Sequence, residues 1–165
     1  MDPADELVDV VDEDDRVVAT VPRREVRRGR LLHRCTYVLL RNASGEILVH
    51  RRTDTKDVFP GAYDVFSGGV CVAGESYDEC ARREIAEEFG VEGADLRFLF
   101  KHRYQGEGGQ AWGAAYEARW DGAVRPQESE VAWQAWVGPA ELDRMLGALP
   151  FCPDSREVFE RLRRG

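Results

Sequence analysis

Nothing in this chain reads as a C-x-x-C pair, and its four cysteines, Cys35, Cys71, Cys80 and Cys152, stand at no metal-ligand spacing. That sets aside a zinc ribbon or a disulfide scaffold, and the thiols read as reduced and mostly buried. A membrane-length apolar run is missing too. The start, "MDPADELVDVVDEDD", is acidic where a secretory leader is basic and apolar, so the expected location is the cytoplasm. A surplus of positive charge is also absent. The chain carries 23 basic against 31 acidic residues, a net charge of −8, so nucleic acid is not an expected partner. An anionic substrate therefore needs a local cation or a bound metal to approach. Internal repeats, low-complexity tracts and linkers are lacking as well, and 165 residues with 43% hydrophobic content suit one domain spanning 1–165.

What is present alternates between strand and helix signals. "LVDVVD", "DDR" and "VVATVP" read as a hairpin, and "TYVLL" and "ILVHRR" repeat that pattern around a turn from Asn42 to Gly45. The apolar run from Tyr37 to Leu40 predicts a central strand with both faces buried. Further strands are expected at "LRFLFKH", "AWGAAYEARW" and "VAWQAWV". Pro139 marks a helix start, and a last helix follows Asp154 or Ser155. The fold class is α/β with a mixed β-sheet.

The stretch from Gly68 to Val91, "GGVCVAGESYDECARREIAEEFGV", holds the densest negative charge of any predicted helix here. Ser76 followed by Glu79 is a capping-box signature, and Gly90 sits where a helix ends, so the helix runs from about Tyr77 to Phe89. Like charges four apart on a helix repel. Glu84, Glu87 and Glu88 fall beside the apolar arc of Ala81, Ile85 and Phe89, at the edge of the buried face. Hard divalent cations take oxygen ligands, and a bound metal is the expected compensation for such crowding.

These residues resemble the Nudix box: Gly, five residues, Glu, seven residues, then Arg-Glu-aliphatic-x-Glu-Glu-x-Gly-aliphatic. Gly69, Glu75, Arg83, Glu84, Ile85, Glu87, Glu88, Gly90 and Val91 fill it without a departure. The resemblance implies an α/β/α sandwich and a hydrolase that directs water at a diphosphate linkage, with Mg²⁺ or Mn²⁺ as cofactor. Carried over, Glu88 and Glu84 or Glu87 become metal ligands together with the Gly69 carbonyl, while Glu75 and Arg83 lock the loop to the helix. The catalytic base comes from the box, Glu84 or Glu87, or from a later acidic loop. In that loop stands Glu130, six residues before Trp136, with Glu128 and Glu117 as neighbours of similar claim. Arg51, Arg52 and Lys56 are the cations expected to hold substrate phosphate.

The run from Leu31 to Gly69 is also similar to the isopentenyl-diphosphate isomerase branch of that superfamily. The isomerase needs a cysteine followed by Gly-His after the Phe-Pro-Gly turn. Counting from Phe59-Pro60-Gly61, Gly68, Gly69 and Val70 stand there instead, which favours the hydrolase type; Cys71 is out of register and His33 survives. A non-catalytic nucleotide-binding module is the third reading. "RREVRRGRLLHR", six arginines from Arg23 to Arg34, reads as a solvated arm or as the contact of a homodimer. His50 and His102 read as packing or surface residues, and Trp112, Trp133 and Trp136 as core, with stacking on a base as their functional alternative.

Overall fold

A computed structural model describes residues 1–165. A short 3₁₀ turn (Pro3–Asp5) leads into the hairpin of β1 (Leu7–Val11) and β2 (Val17–Pro22), followed by α1 (Arg23–Gly29). The long strand β3 (His33–Arg41) is followed by β4 (Ile47–Arg52) and the two-residue β5 (Tyr63–Asp64). Then come α2 (Tyr77–Phe89), β6 (Leu96–Gly106), β7 (Gly109–Arg119), β8 (Val131–Val137), α3 (Pro139–Ala148) and α4 (Pro153–Arg164). The strands form one eight-stranded mixed sheet. β3 and β7 run parallel, and the other strand pairs are antiparallel.

Period-two alternation along β3 decides where the helices lie. Val38 and Leu40 point to one face, where Ala81, Ile85 and Phe89 of α2 cover them. Tyr37 and Leu39 point to the other, against Leu142 and Met145 of α3 and Val158 and Phe159 of α4. The central strand is buried on both sides and the layers stack as α/β/α. Tyr77 to Phe89 is helical with Ser76 and Glu79 closing a reciprocal capping box, and Gly90 at φ 66° ends the helix.

The arginine-rich segment departs from the expectation of a solvated arm. Arg23 to Gly29 is a helix whose Val26 is buried beside Val8 and Val70. Four of the segment's six cations pair inside the chain: Arg23 with Glu6, Arg24 with Asp5, Arg27 with Asp57 and Arg34 with Asp15. No helix is long and apolar enough to cross a membrane.

Candidate active site

The site begins with how α2 meets the loop before it. Arg83 donates from Nε and Nη2 to the two Glu75 carboxylate oxygens at 2.7 and 2.9 Å, and from Nη1 to Glu84 at 2.9 Å. Nη2 also reaches the Val70 carbonyl at 3.3 Å. A planar guanidinium suits such forked bonding. Burial works to raise the Glu75 pKa, and the Arg83 bonds outweigh it, so the carboxyl sits below its usual range. Gly69 is pressed against the helix: a Cβ there would stand 2.8 Å from Glu84 Oε1. Only glycine lets the loop lie this close to the carboxylate.

One turn on, charge is left unanswered. Glu88 is 9% exposed, and its Oε1 is buried with no hydrogen-bond partner. Burial, then the neighbouring Glu84 and Asp64, push its pKa up to about 8, while the nearby Ser67 hydroxyl pulls weakly the other way. Burial likewise raises Glu84, against the pull of Arg83. His50 is buried beneath Glu88, with Nε2 3.7 Å from Oε1, too far for a hydrogen bond. Its ring packs edge-on against Phe89, and burial holds its pKa down at about 3, so it stays neutral and offers Glu88 no charge. Two adjacent carboxyls, one with an orphaned oxygen in a dry setting, match what a hard divalent cation requires. An unpaired buried charge costs far more than a paired one. The donor set fits such an ion.

The remaining predicted residues divide. Lys56 forms an ion pair with Glu130, bringing the late acidic loop to the site. Burial lowers the Lys56 pKa and Arg52 adds to this, while Glu88 and Glu84 act in the opposite sense because they lie near it. Glu87 departs from the shared, shielded space expected of it: its side chain is 57% exposed and leans on Arg83 at 3.3 Å. Successive helix positions diverge by about 100°, which turns Glu87 to solvent when Glu88 turns inward. The Gly69 carbonyl already accepts the Thr36 N–H at 3.0 Å. Glu117 is held between Arg41 and Arg97, and Glu128 lies exposed on the loop before β8. Arg51 is engaged by Asp54 and the Gly61 carbonyl. Arg52 instead lines a cleft, with both Nε and Nη2 donating to the Val58 carbonyl.

That cleft, about 140 Å³, reaches the loop at Ser67, Gly68 and Gly69. Arg27, Arg52 and the rings of Tyr37, Phe59 and Tyr104 line it, with Asp64 and Asp154 also in its wall. Tyr37 donates to Asp154 at 3.0 Å, and Asp64 accepts the Phe66 N–H at 2.8 Å. Burial, with Asp154 close by, lifts Asp64 to about 7. Sequence reasoning missed Asp64 and Ser67, and it gave His50 no place beside a carboxylate. Their one signal is position, since all three lie on the segments that flank the Phe-Pro-Gly turn.

Residues 31–162 match the NUDIX domain. The chain belongs to the Nudix family. It is 49% identical over 165 residues to an uncharacterized Nudix hydrolase of Streptomyces coelicolor, covering 99% of this chain and 91% of that one. It is 37% identical to the uncharacterized Nudix hydrolase YfcD of Escherichia coli K12, covering 93% and 84%. Among solved structures it is similar to DR0079 from Deinococcus radiodurans, at 28% identity and a TM-score of 0.81, covering 94% and 98%. This is a Nudix hydrolase, an enzyme acting on phosphorus anhydrides, from a family that generally uses divalent metal ions.

Proposed function

We propose that this Nudix hydrolase cleaves a diphosphate linkage in a nucleoside diphosphate derivative or related small molecule, with Mg²⁺ or Mn²⁺ held by Glu84 and Glu88. The orphaned, buried Glu88 Oε1 beside Glu84 carries the assignment, because that carboxyl is stable as an anion only with a cation against it. The Gly69 carbonyl retains a second lone pair for the same ion. Glu87 stands at the rim, reachable from solvent. When bound, the ion neutralises phosphate oxygens and lowers the pKa of a coordinated water.

The chain's own residues supply orientation and proton transfer. We assign Glu130 as the base that takes the proton of the attacking water, since its ion-pair partner Lys56 lies near Glu84 and Glu88. Glu84 and Glu87 are the alternatives within the box. Lys56 and Arg52 supply positive charge where an otherwise acidic chain must accept a phosphate. Glu75 and Arg83 fix the loop so that Gly69 stays against Glu84. The cleft walls of Tyr37, Phe59 and Tyr104 suit an organic substituent on the diphosphate. The reading includes a protein that works in the cytoplasm.

The isomerase alternative fails on one position. A Cβ at Gly68 would lie 2.1 Å from the Thr36 carbonyl oxygen, at a φ of +153° that side chains rarely adopt. The cysteine an isomerase needs cannot stand there in this backbone. The test is phosphate release from nucleoside diphosphate sugars, nucleoside di- and triphosphates, dinucleotides and isoprenoid diphosphates, with Mg²⁺ or Mn²⁺. We expect hydrolysis of at least one nucleotide class and no dimethylallyl product from isopentenyl diphosphate. Isomerisation, or binding without turnover across the whole panel, overturns the reading.

A further inference from the structure

Beneath the loop that abuts Glu84 lies a second group of ligating side chains. Cys71, Glu75 and Cys80 each place a ligand atom within 4.8 Å of the other two, with both cysteines buried. Eight residues lie between the cysteines in sequence, which is no metal-ligand spacing. The fold alone joins them, because the turn from Val72 to Glu75 doubles back and Cys80 comes up from the first turns of α2. Cys80 Sγ is 3.5 Å from Thr36 Oγ1 and 3.6 Å from the Gly69 carbonyl, so the pocket around it is polar.

We propose that Cys71, Cys80 and Glu75 form a site for one thiophilic divalent cation of the Zn²⁺ class, separate from the hard carboxylate site of Glu84 and Glu88. A tetrahedral ion with Zn–S bonds of about 2.3 Å needs its sulfurs roughly 3.8 Å apart, within the spacing this group already has. Each thiol releases its proton to solvent as it ligates, and Glu75 gives one carboxylate oxygen. Charge then closes. Two thiolates and one carboxylate carry three negative charges, and the ion with the Arg83 guanidinium carries three positive ones. Arg83 is in place for this, bonded to Glu75 and 3.9 Å from Cys80 Sγ through Nη2. Soft sulfur donors select against Mg²⁺, which prefers an octahedron of oxygens, so the two sites sort ions by donor type. Glu75 keeps its second carboxylate oxygen for Arg83, which also bonds Glu84, so the soft site abuts the hard one without sharing a ligand with it.

Cd²⁺, titrated into the reduced full-length protein under a large excess of Mg²⁺, tests the proposal. We expect one equivalent per chain with a thiolate-to-cadmium charge-transfer absorption. Cys71→Ser and Cys80→Ser should each weaken it by more than the about 10–100-fold that loss of a supporting residue costs a metal site. Cys35→Ser/Cys152→Ser should leave it unchanged, as should Glu84→Gln/Glu88→Gln. X-ray absorption on the wild-type Zn²⁺ complex avoids reliance on variant folding and should show two sulfur neighbours with oxygen completing the shell. No charge-transfer band, a band that survives Cys71→Ser, or any sulfur count other than two overturns the site. Loss of the band in Glu84→Gln/Glu88→Gln would also overturn it as a separate site.

Discussion

At the start of α2, Ser76 and Glu79 cap each other's backbone and Arg83 binds Glu75 twice, whereas at its end Glu88 is buried with an oxygen that meets no donor. The same helix thus treats acidic residues in two ways within thirteen residues. In the first half every carboxylate of the loop junction has a geometric partner, and the pKa of Glu75 lies low. In the second half burial dominates, and Glu88 sits at about 8. The first arrangement holds the fold together. The second lowers stability in the absence of a cation, and it is where the chemistry belongs, because a site built for an ion must leave room for its charge. Arg83 joins the halves, bonded to Glu75 on one side and Glu84 on the other.

The largest effect should come from removing the unanswered charge. Glu88→Gln should lower turnover of whichever substrate the panel identifies by at least about 10–100-fold, since loss of a mere supporting residue already costs a metal site that much. Metal-free, the variant should be at least as stable as the wild type, because a buried ionisable group and one like-charge repulsion are gone. Turnover at the wild-type rate breaks the assignment of the helix end to metal binding.

Cutting the other half should do the reverse. Arg83→Ala leaves Glu75 and Glu84 without their shared donor, and unpaired groups of this burial cost about 1–3 kcal/mol. Chemical denaturation should show that loss with or without Mg²⁺. Stability equal to wild type would mean that the Glu75–Arg83 fork does not tie the loop to the helix.

The contrast also predicts a pH dependence. A carboxyl whose folded pKa is raised contributes stability that is full below its unfolded value and is lost as pH rises through the folded one. For Glu88 that window runs from the ordinary range near 4.5 to about 8, and for Asp64 from 3.8 to about 7. Metal-free melting temperature should therefore fall across this window, while the increase given by Mg²⁺ grows, since the ion binds the charged form and stabilises by mass action. Glu84→Gln/Glu88→Gln should abolish the Mg²⁺ trend and leave only the Asp64 part of the metal-free one. An Mg²⁺ increment that is constant from pH 6 to roughly 8.5 contradicts a Glu84–Glu88 site.

How far the sequence could be read depended on whether a signal was local. The Ser76–Glu79 cap, Gly90 and the apolar arc of α2 are matters of spacing within one helix, and the helix bounds were legible from them. The two-sided burial of β3 was legible from its unbroken apolar run. The split between Glu87 and Glu88 was not, because three carboxylates within about 100° of arc look equivalent until the packing of Phe89 and His50 sets which one turns inward. Arg51 and Arg52 look interchangeable in sequence as well, and a register shift in the β4–β8 ladder lies between them. Asp64 and Ser67 gave no signal beyond their position after the Phe-Pro-Gly turn. They gain their place from β5 and the following segment returning beside β3 and β4, a long-range pairing that no short window contains.

The smallest effect is expected at Glu79, which shares the crowded segment but belongs wholly to the satisfied half. Its carboxylate accepts the Ser76 N–H at 3.1 Å, and the Ser76 hydroxyl accepts the Glu79 N–H at 3.1 Å. Glutamine keeps an acceptor oxygen at the same reach and is itself a capping-box residue, so both hydrogen bonds survive Glu79→Gln. What disappears is one negative charge in the first turn, where the helix dipole favours it by about 0.3–1 kcal/mol. Denaturant midpoints should register a loss of that size, smaller in high salt because the group is exposed and screened. Turnover and the Mg²⁺-dependent rise in melting temperature should match wild type. If Glu79→Gln abolished the Mg²⁺ effect, the division of α2 into a structural start and a chemical end would be wrong.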